Sequence, residues 1–555
     1  MANGYNDFRV SMRVSGPGRV STARGRGAVA SASRQASELA IQVLRDGGNA
    51  FDAAFATAFS LAICHLQAGN LGGGGYMVYR EKGGRPRVLS YREQAPAAAR
   101  REAFLTPEGA PDPDRTAFGP MSVCVPGTVQ AFFELQGRHG RLRAADLLGA
   151  VARQAREGAV VTQFEADCLN RLAPKLAASP EARRIYVRES PFQAGDLLPN
   201  PTLADTLDLL AREGARAFYQ GRIAEQLVTD LQAHGGFLSA ADLAGYEVRE
   251  PEPLALEVAG RTVWTVPPEG GGALLLEILG ILDREAFRAW PFDSVGYHHH
   301  LAQACKFAFI DRMDYLGDLP QGPAFRALLG RAALDRRFAL IDPTRDTPTD
   351  QLAAGRAGRE AGLDTTHFAV LDAEGNAVSN SYTMNLRYGS KWAVAGAGFL
   401  LNGSIDSFSF VEGQENYFGV VGSAVNLFAP GKRPASNMAP VLVTGADGSV
   451  EALVGTPGGP TIPTTLAHVL LGTLVHGADP EALVRASRLH HQGWPDKLSH
   501  EPGFDRPLLL ESLAALGYTV KDKQELISDV QGIFRQGDAY LAVSDHRREG
   551  LALAL

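Results

Sequence analysis

A chain of 555 residues is too long for one simple hydrophobic core, which predicts either several lobes or one large layered unit. Charged residues make up 21% and hydrophobic residues 45% of the chain, which is ordinary for a globular protein. The formal net charge of −7 leaves no basic surplus to neutralise phosphates, so we expect no nucleic-acid partner.

The N-terminus shows no basic start followed by an apolar run, so no signal peptide is expected. No run of about 18 consecutive apolar residues occurs either, so no membrane-spanning segment and no membrane partner are expected. Both patterns favour a cytoplasmic protein. The cysteines lie far apart and are expected to be buried, inert thiols: Cys64, Cys124, Cys168 and Cys305.

Helix and strand signals alternate through the first half of the chain. Ser31 or Ser33 can cap a helix that ends near Gly47, and Asn49 can cap a second helix that is apolar on every side. A glycine run and the strand "GYMVYR" follow. The glycines lack the Lys-Ser/Thr of a phosphate-binding loop and precede a strand, so close backbone packing beneath the buried helix explains them better.

Three consecutive histidines, His298 to His300, could suggest a metal site. Neighbouring helical residues point about 100° apart, so three in a row cannot converge on one ion. We expect a role at the start of a helix or on the surface, and no metal.

Paired strands with tight turns follow residue 365. One hairpin is "TTHFAVL", "DAEGN" and "AVSNSYTMN", a second is "PVLVT", "GADGS" and "VEALVGT", and a long apolar helix is expected over 464–477. Sheets backed by helices predict an α+β fold with a four-layer αββα arrangement and antiparallel strands in the middle.

The stretch "GLDTTHFAV" admits two interpretations. Strands often begin with threonine, so the start of a buried strand is one. The other is a cut between Asp364 and Thr365, which would expose an α-amine whose pKa, about 7.7–8.0, suits it as a base for the threonine hydroxyl. His367 lies two residues further on the same face and is expected to be structural rather than a general base. The chain has no Gly-x-Ser-x-Gly elbow and no convincing Ser/His/Asp set, and position alone does not decide between the two.

Several motifs resemble the γ-glutamyltransferase family of N-terminal-nucleophile hydrolases, also called γ-glutamyl transpeptidases or glutathione hydrolases. They follow in family order and cover nearly the whole chain: "GNAFDAAFATAFSLAICHLQAGNLGGGGYM", "YREQAPAAAR", "PGTV", "YHHHLAQACKFAFIDRMDYLGD", "TTHFAVLDAEGNAVSNSYTMN", "GFLLNGSIDSFS", "GKRPASNMAP", "GTPGGP" and "SDHRREG". The resemblance implies the four-layer fold of that class, built jointly after self-cleavage by a large subunit, 1–364, and a small catalytic subunit, 365–555.

The resemblance also implies roles for individual residues. Thr365 would be the nucleophile, Thr383 would orient it, and Gly458 and Gly459 would supply the N–H groups of an oxyanion hole. Glycine suits this role because it lets the backbone approach the developing oxyanion closely. Arg92 would hold the carboxylate of a small amide substrate by a bidentate charged pair. No cofactor is implied.

The remaining substrate contacts implied by the resemblance are Asn385, Ser404, Asp406, Ser407, Ser436 and Asn437, with Phe418 as the aromatic gate of a lid. The family's stretch Gln/Glu-Met-Asp-Asp-Phe grips the donor's α-ammonium, but here it reads Ser404-Ile405-Asp406-Ser407-Phe408, and Asn437 replaces a second serine. Neutral hydroxyls hold a buried ammonium less well than a carboxylate, by about 1–3 kcal/mol. Asp406 is expected to point away if this segment is extended.

These departures leave three interpretations open. The first is a glutathione hydrolase or γ-glutamyltransferase that acts through an acyl-Thr365 intermediate. The second is a relative whose acyl group lacks the α-amine, such as a glutaryl amide (cephalosporin-acylase-like) or oxamate hydrolase, and we hypothesise that the natural substrate is of this kind. The third, of another class, is an uncut, non-catalytic binding protein, against which the joint presence of Thr365, Thr383, Arg92 and both glycines argues.

Overall fold

The computed structural model describes residues 20–318, 322–352, 365–414 and 423–555. Its strands, in chain order, are β1 Ser21–Gly25, β2 Ala28–Ser31, β3 Gly74–Arg80, β4 Arg87–Ser90, β5 Ala159–Val160, β6 Leu197–Leu198, β7 Leu254–Val258, β8 Arg261–Thr265, β9 Thr366–Leu371, β10 Ala377–Thr383, β11 Val441–Thr444, β12 Val450–Gly455, β13 Leu489–His490, β14 Leu498–His500, β15 Val520–Asp522, β16 Gln531–Gln536, β17 Ala539–Ser544 and β18 Leu551–Ala554.

The α-helices begin and end as follows: α1 Arg34–Arg45, α2 Ala50–Cys64, α3 Pro113–Thr116, α4 Thr128–His139, α5 Ala144–Glu157, α6 Gln163–Leu176, α7 Pro180–Tyr186, α8 Pro201–Glu213, α9 Arg216–Tyr219, α10 Arg222–Ala233, α11 Ala240–Ala244, α12 Gly272–Leu282, α13 Glu285–Arg288, α14 Val295–Tyr315, α15 Gly322–Leu328, α16 Arg331–Ala339, α17 Thr349–Leu352, α18 Thr461–Leu470, α19 Pro480–Arg485 and α20 Pro507–Ala515. A 3₁₀ turn occupies Ser404–Ser407.

Two antiparallel sheets form the middle of the molecule. The seven-stranded sheet has the order β1-β17-β16-β12-β11-β8-β7, and the six-stranded sheet has the order β18-β2-β9-β10-β3-β4. Every pairing within these two sheets is antiparallel. The antiparallel arrangement that the paired strands and tight turns predicted is confirmed.

Three hydrophobic clusters separate four layers. One cluster packs α1, α2, α4, α5, α8 and α10 on the outer face of the six-stranded sheet. A second packs α12, α14 and α18 on the outer face of the seven-stranded sheet. The third lies between the sheets and includes Tyr76, Ala369, Leu442 and Leu453. The predicted four-layer αββα fold is therefore confirmed.

Local signals account for the elements nearest the site. The hairpin of β9 and β10 closes through Asp372, whose Oδ1 accepts hydrogen bonds from the N–H groups of Gly375 and Asn376, both at 3.0 Å. Asn49 caps α2 with a full capping box, and every residue of that helix is buried. Ser33 is the N-cap residue of α1, although its hydroxyl donates to the Cys64 Sγ at 2.9 Å instead of capping the helix.

Some local expectations needed correction. The predicted helix at 464–477 begins earlier, at Thr461, and its α-helical part ends at Leu470, before a π-helical turn over Leu471–Val475. In the glycine-rich stretch, a Cβ at Gly69 would lie 2.1 Å from the carbonyl oxygen of Leu61 in the buried helix α2, as expected, whereas a Cβ at Gly75 would lie 2.3 Å from the carbonyl oxygen of Ser381 in the neighbouring strand β10.

The three histidines lie on one turn of α14 and bind three different partners. His298 Nε2 contacts Asp293 Oδ1 at 2.6 Å, His299 Nε2 contacts the carbonyl of Asp342 at 2.7 Å, and His300 Nδ1 contacts the carbonyl of Gly296 at 2.7 Å. They lie near the start of α14, which agrees with one of the two expected positions, and they are buried, so the surface alternative was wrong.

The segments before and after residue 365 interleave within the six-stranded sheet. β9 and β10 lie side by side, with β2 on the outer side of β9 and β3 on the outer side of β10. Neither segment therefore forms a complete sheet alone. Among the described residues, no helix is both long and apolar enough to cross a membrane.

Candidate active site

Strand ends from both sheets meet at one edge of the sandwich. In the six-stranded sheet, β9 begins where β10 ends, and Gly74 at the start of β3 pairs with Thr383 at the end of β10. In the seven-stranded sheet, β11 begins where β12 ends. The imidazole of His367 lies against Gly455 at the end of β12, where an added Cβ would be 2.2 Å from Nδ1. The two sheets therefore bring their loops together at this edge.

Thr365 directly precedes β9 and is 6% exposed. Tyr382 pairs with Thr366, so continuing the register by one residue places Thr365 opposite Thr383. Side chains alternate along a strand, so Thr365 shares with His367 and Ala369 the face that points between the sheets. The register thus brings together the two threonines that the resemblance assigned to the nucleophile and its partner.

His367 is fully buried and its Nδ1 lies 2.8 Å from the Ser381 hydroxyl oxygen. Burial lowers the pKa of His367 to about 3, so the ring is neutral near pH 7. Its Nε2 makes no hydrogen bond to any described residue. A neutral ring packed on Gly455 fits the expected structural role.

Gly458 and Gly459 form the loop between β12 and α18. Their φ angles are +129° and +59°, which only glycine adopts readily in succession. The carbonyl oxygens of both residues accept hydrogen bonds from the first N–H groups of α18, at 3.2 and 3.1 Å. The loop therefore lies at the positive end of a helix dipole, which favours a developing negative charge nearby.

Arg92 is among the largest fully buried side chains of the described residues and belongs to a short polar array. Its Nη1 donates to Glu93 Oε2 at 2.5 Å, and its Nε donates to the carbonyl of Pro434 at 3.3 Å. The other oxygen of Glu93 accepts a hydrogen bond from the Ser404 hydroxyl at 2.8 Å. Arg92 Nη2 has no hydrogen bond to a described residue, so the array retains an unused donor.

The segment Ser404–Ser407 is a 3₁₀ turn, so the expectation of an extended segment was wrong. The Ser407 hydroxyl donates to Asn385 Oδ1 at 2.7 Å, while Asp406 Oδ1 accepts from the Thr116 hydroxyl at 2.8 Å. Adjacent residues therefore still contact different parts of the protein. Asp406 is fully buried beside Thr116, and Ser407 is partly exposed.

Asn385 connects this turn to Thr383 at the end of β10. Its backbone has a φ of +73°, its N–H donates to the Thr383 hydroxyl at 2.8 Å, and its Nδ2 donates to the carbonyl of Gly403 at 2.9 Å. Asn385 thus bonds to Thr383 through its backbone, and to Gly403 and Ser407 through its side chain.

Ser436 and Asn437 precede β11 at the same edge. The Ser436 hydroxyl is partly exposed and accepts a hydrogen bond from the Met438 N–H at 3.1 Å. Asn437 is buried, and its Oδ1 accepts from Arg312 Nε at 3.3 Å. Asn437 is thereby tied to α14, a contact that the sequence did not indicate. Phe418 lies outside the described residues.

Glu93 is the residue that the sequence reasoning missed. It is fully buried and lies between the arginine and the first serine of the altered motif. The signal that could have revealed it is its position directly after Arg92 in "YREQAP". The segment Ser404–Phe408, which departs from the family's motif, therefore has the Glu93 carboxylate beside it, from another part of the chain.

The class of protein follows from the comparison with known families. The family model described as Gamma-glutamyltranspeptidase matches residues 36–555. The chain belongs to the gamma-glutamyltranspeptidase family. It is an N-terminal threonine hydrolase of this family, whose amidohydrolases and acyltransferases work through an acyl-threonine intermediate.

Individual relatives span nearly the whole chain. A glutathione hydrolase proenzyme from Pseudomonas aeruginosa is 39% identical over 95% of this chain and 94% of its own length. A glutathione hydrolase proenzyme from Escherichia coli is 34% identical, with coverages of 94% and 90%. The comparisons give no support to the predicted cytoplasmic location, which stays a prediction.

Solved structures share the fold. The cephalosporin acylase from Bacillus halodurans superimposes with a TM-score of 0.82 and covers 97% of each chain, but at 24% identity it shows the fold alone. The Helicobacter pylori gamma-glutamyltranspeptidase is 31% identical over 57% of this chain and 92% of its own, with a TM-score of 0.55.

Proposed function

We propose that this protein cleaves γ-glutamyl amides of the glutathione type, with Thr365 as the nucleophile. The observation that carries the proposal is the buried array of Arg92, Glu93 and Ser404. A γ-glutamyl group ends in an α-carboxylate and an α-ammonium on one carbon atom. Adjacent residues of opposite charge suit this pair, with the unused Nη2 of Arg92 facing the carboxylate and Glu93 facing the ammonium.

The names of the relatives support the same substrate class. The Pseudomonas aeruginosa and Escherichia coli proteins are both called glutathione hydrolase proenzymes, which describes a precursor of an enzyme that hydrolyses glutathione. For this chain we propose a cut between Asp364 and Thr365. The products, 1–364 and 365–555, would stay associated because β9 and β10 of the small subunit lie between β2 and β3 of the large one.

The proposed chemistry needs only this chain's own groups. The Thr365 hydroxyl oxygen attacks the amide carbonyl carbon while its proton passes to the Thr365 α-amine. The N–H groups of Gly458 and Gly459 stabilise the oxyanion, and Thr383 holds the attacking hydroxyl. The α-ammonium then protonates the leaving nitrogen, the carbon–nitrogen bond breaks, and an ester to Thr365 remains. Water or an acceptor amine releases the acyl group and restores the threonine.

A second candidate is an amide whose acyl group lacks the α-amine, such as a glutaryl or oxamyl amide. The neutral hydroxyls of Ser404 and Ser407 favour it, because the family motif has acids or amides at these positions. Ser407→Asp would supply an acid beside Asn385, and under either candidate it should raise the preference for γ-glutamyl amides by about tenfold.

A substrate panel tests the proposal directly. Anilides with the same leaving group and a γ-glutamyl, glutaryl or oxamyl acyl part should be compared by kcat/KM. The proposal expects the γ-glutamyl anilide to be the best substrate. A higher value for the glutaryl or oxamyl compound would establish the second candidate instead.

Processing is tested by denaturing electrophoresis and intact-mass measurement of the purified protein. We expect two fragments that meet at the bond before Thr365, and their co-purification in native buffer. Thr365→Ala should stay uncut and inactive, whereas Thr365→Ser keeps a hydroxyl and should still be cut. If the wild-type chain remains a single uncut polypeptide after prolonged incubation, the processing proposal is wrong and the non-catalytic binding protein is favoured.

A further inference from the structure

Ser528 has an unusual backbone conformation beside the proposed oxyanion loop. Its φ is +65°, in the left-handed region that side chains other than glycine adopt at a cost. The residue precedes β16, far in sequence from the loop that contains Gly458 and Gly459. A strained, buried serine at this place calls for a compensating contact.

That contact is a chain of three hydroxyl groups. The Thr465 hydroxyl donates to Ser528 Oγ at 3.0 Å, and Ser528 Oγ lies 2.7 Å from Thr461 Oγ1. The Thr461 hydroxyl in turn donates to the carbonyl oxygen of Gly458 at 3.0 Å. Each hydroxyl has one hydrogen to donate, so the Thr461 hydrogen is used on Gly458 and Ser528 must donate to Thr461. The chain therefore runs in one direction, from Thr465 to the Gly458 carbonyl.

The end of this chain determines where an N–H group points. A trans peptide unit is planar, with its C=O and N–H directed to opposite sides. The carbonyl of Gly458 and the N–H of Gly459 belong to the same unit, so a bond that holds the carbonyl also orients that N–H. A peptide between two glycines has no Cβ to restrict its rotation, so the hydroxyl bond adds to the Thr461 N–H bond that also holds the Gly458 carbonyl at 3.2 Å.

Packing and a second bond support this arrangement. A Cβ at Gly458 would lie 2.3 Å from Thr461 Oγ1 and 2.8 Å from Ser528 Oγ, so both hydroxyls lie directly against this glycine. The N–H of Asp529 donates to Thr456 Oγ1 at 2.8 Å, which ties the same segment to the residue two positions before Gly458.

We propose that Ser528 is a positioning residue that, through Thr461, holds the Gly458–Gly459 peptide with its N–H directed at the reacting carbonyl. This inference rests on the proposed role of the two glycines in the reaction. It does not depend on which acyl group the enzyme accepts, because the oxyanion forms on every amide.

Kinetic comparison of matched variants tests the inference. Ser528→Ala and Ser528→Gly both remove the hydroxyl, but only glycine relieves the left-handed backbone. We expect kcat to fall about tenfold in both with KM little changed, since loss of an oxyanion donor itself costs about 10²–10³ in kcat. Thr461→Val should lower kcat by a similar factor. Thr461→Ser, which keeps the hydroxyl, should retain wild-type kcat.

Thr473→Val is the control, because its hydroxyl bonds to the carbonyl of Val469 in the adjoining helical turn, and it should leave kcat unchanged. Wild-type kcat in Ser528→Gly and Thr461→Val would overturn the inference. A crystal structure of these two variants gives a readout that needs no activity. We expect the Gly458–Gly459 peptide to rotate, and an unrotated peptide in both would overturn the inference even if the proposed substrate were wrong.

Discussion

Two buried arginines of this protein differ in how fully their donors are used. Arg92, at the proposed site, makes two hydrogen bonds to described residues, to Glu93 and to the Pro434 carbonyl. Arg547, near the C-terminus, donates from Nε, Nη1 and Nη2 to Glu501, Asp545 and two backbone carbonyls. A buried cation with an unused donor can bind a ligand, whereas a fully bonded one holds chain segments together.

The buried ion pairs of Asp545 with Arg488 and Arg547 also affect the pKa of Asp545. Burial opposes the ionisation of Asp545, but Arg488 and Arg547 hold its pKa below the ordinary range. Both carboxylate oxygens of Asp545 accept hydrogen bonds. Its Oδ2 accepts from Arg488 Nη2 at 2.6 Å and from the Val530 N–H at 2.9 Å, and its Oδ1 accepts from Arg547 Nη1 at 3.1 Å. The motif "SDHRREG" therefore has a structural role that its place among the family motifs did not reveal.

The largest expected effect is on stability and concerns Arg488. Arg488→Ala leaves Asp545 buried with fewer partners, and we expect the free energy of unfolding to fall by about 3–5 kcal/mol. Urea denaturation measures this change. Arg485→Ala is the matched control, since that exposed residue pairs, within the described part of the chain, only with Glu481 one turn away and should change stability by less than about 0.5 kcal/mol. If the two substitutions lower the free energy of unfolding equally, the buried ion pairs do not have the structural role assigned to them here.

The second effect is on turnover and concerns Arg92. Arg92→Ala should lower kcat/KM by about 10²–10³-fold, because it removes a positioned, buried charge. Arg92→Lys should restore only part of the loss, since an ammonium cannot reproduce the planar fork of a guanidinium. Arg87→Ala, at the exposed start of β4, should leave kcat/KM unchanged. Near-normal kinetics of Arg92→Ala would show that another group binds the carboxylate.

A smaller effect is expected for His367, which is buried and pairs with no acid among the described residues. The pKa of His367 falls to about 3 through burial, so between about pH 6.5 and 3 the unfolded chain binds more protons than the folded protein. Stability is therefore lost as the pH falls through this window. Between pH 7 and 5, the wild type should lose about 2 kcal/mol more than His367→Asn. Urea denaturation at both pH values measures the difference, and parallel losses would contradict it.

Local patterns allowed much of the fold to be predicted. The β9–β10 hairpin depends on a turn that Asp372 closes within a few residues, and the start of α2 has a local capping box of Asn49 and Asp52. The four layers followed from helix and strand signals together. The bonding partner of Asp406 could not be predicted in this way, because Thr116, whose hydroxyl donates to its carboxylate, is distant in sequence.

The site residues show the same limit. The resemblance indicated Arg92 and Ser404 but not Glu93, which joins them. The contact between Glu93 and Ser404 forms only when folding brings the 3₁₀ turn next to Glu93. The contact of Ser528 with Thr461 joins β16 to the start of α18, and no short sequence motif contains both residues. Motifs identified the parts of this site, and tertiary contacts determine how they connect.

Glu93→Gln gives the most direct test of the central claim, that the array recognises both charges of a γ-glutamyl group. Glutamine keeps the shape and can still accept from Ser404, but it removes the negative charge. The ratio of kcat/KM for the γ-glutamyl anilide to that for the glutaryl anilide should be measured in the wild type and in the variant. We predict that this ratio falls about 10–100-fold, because only the γ-glutamyl compound has an ammonium to lose its partner. An unchanged ratio would contradict the claim and leave Glu93 as a structural partner of Arg92.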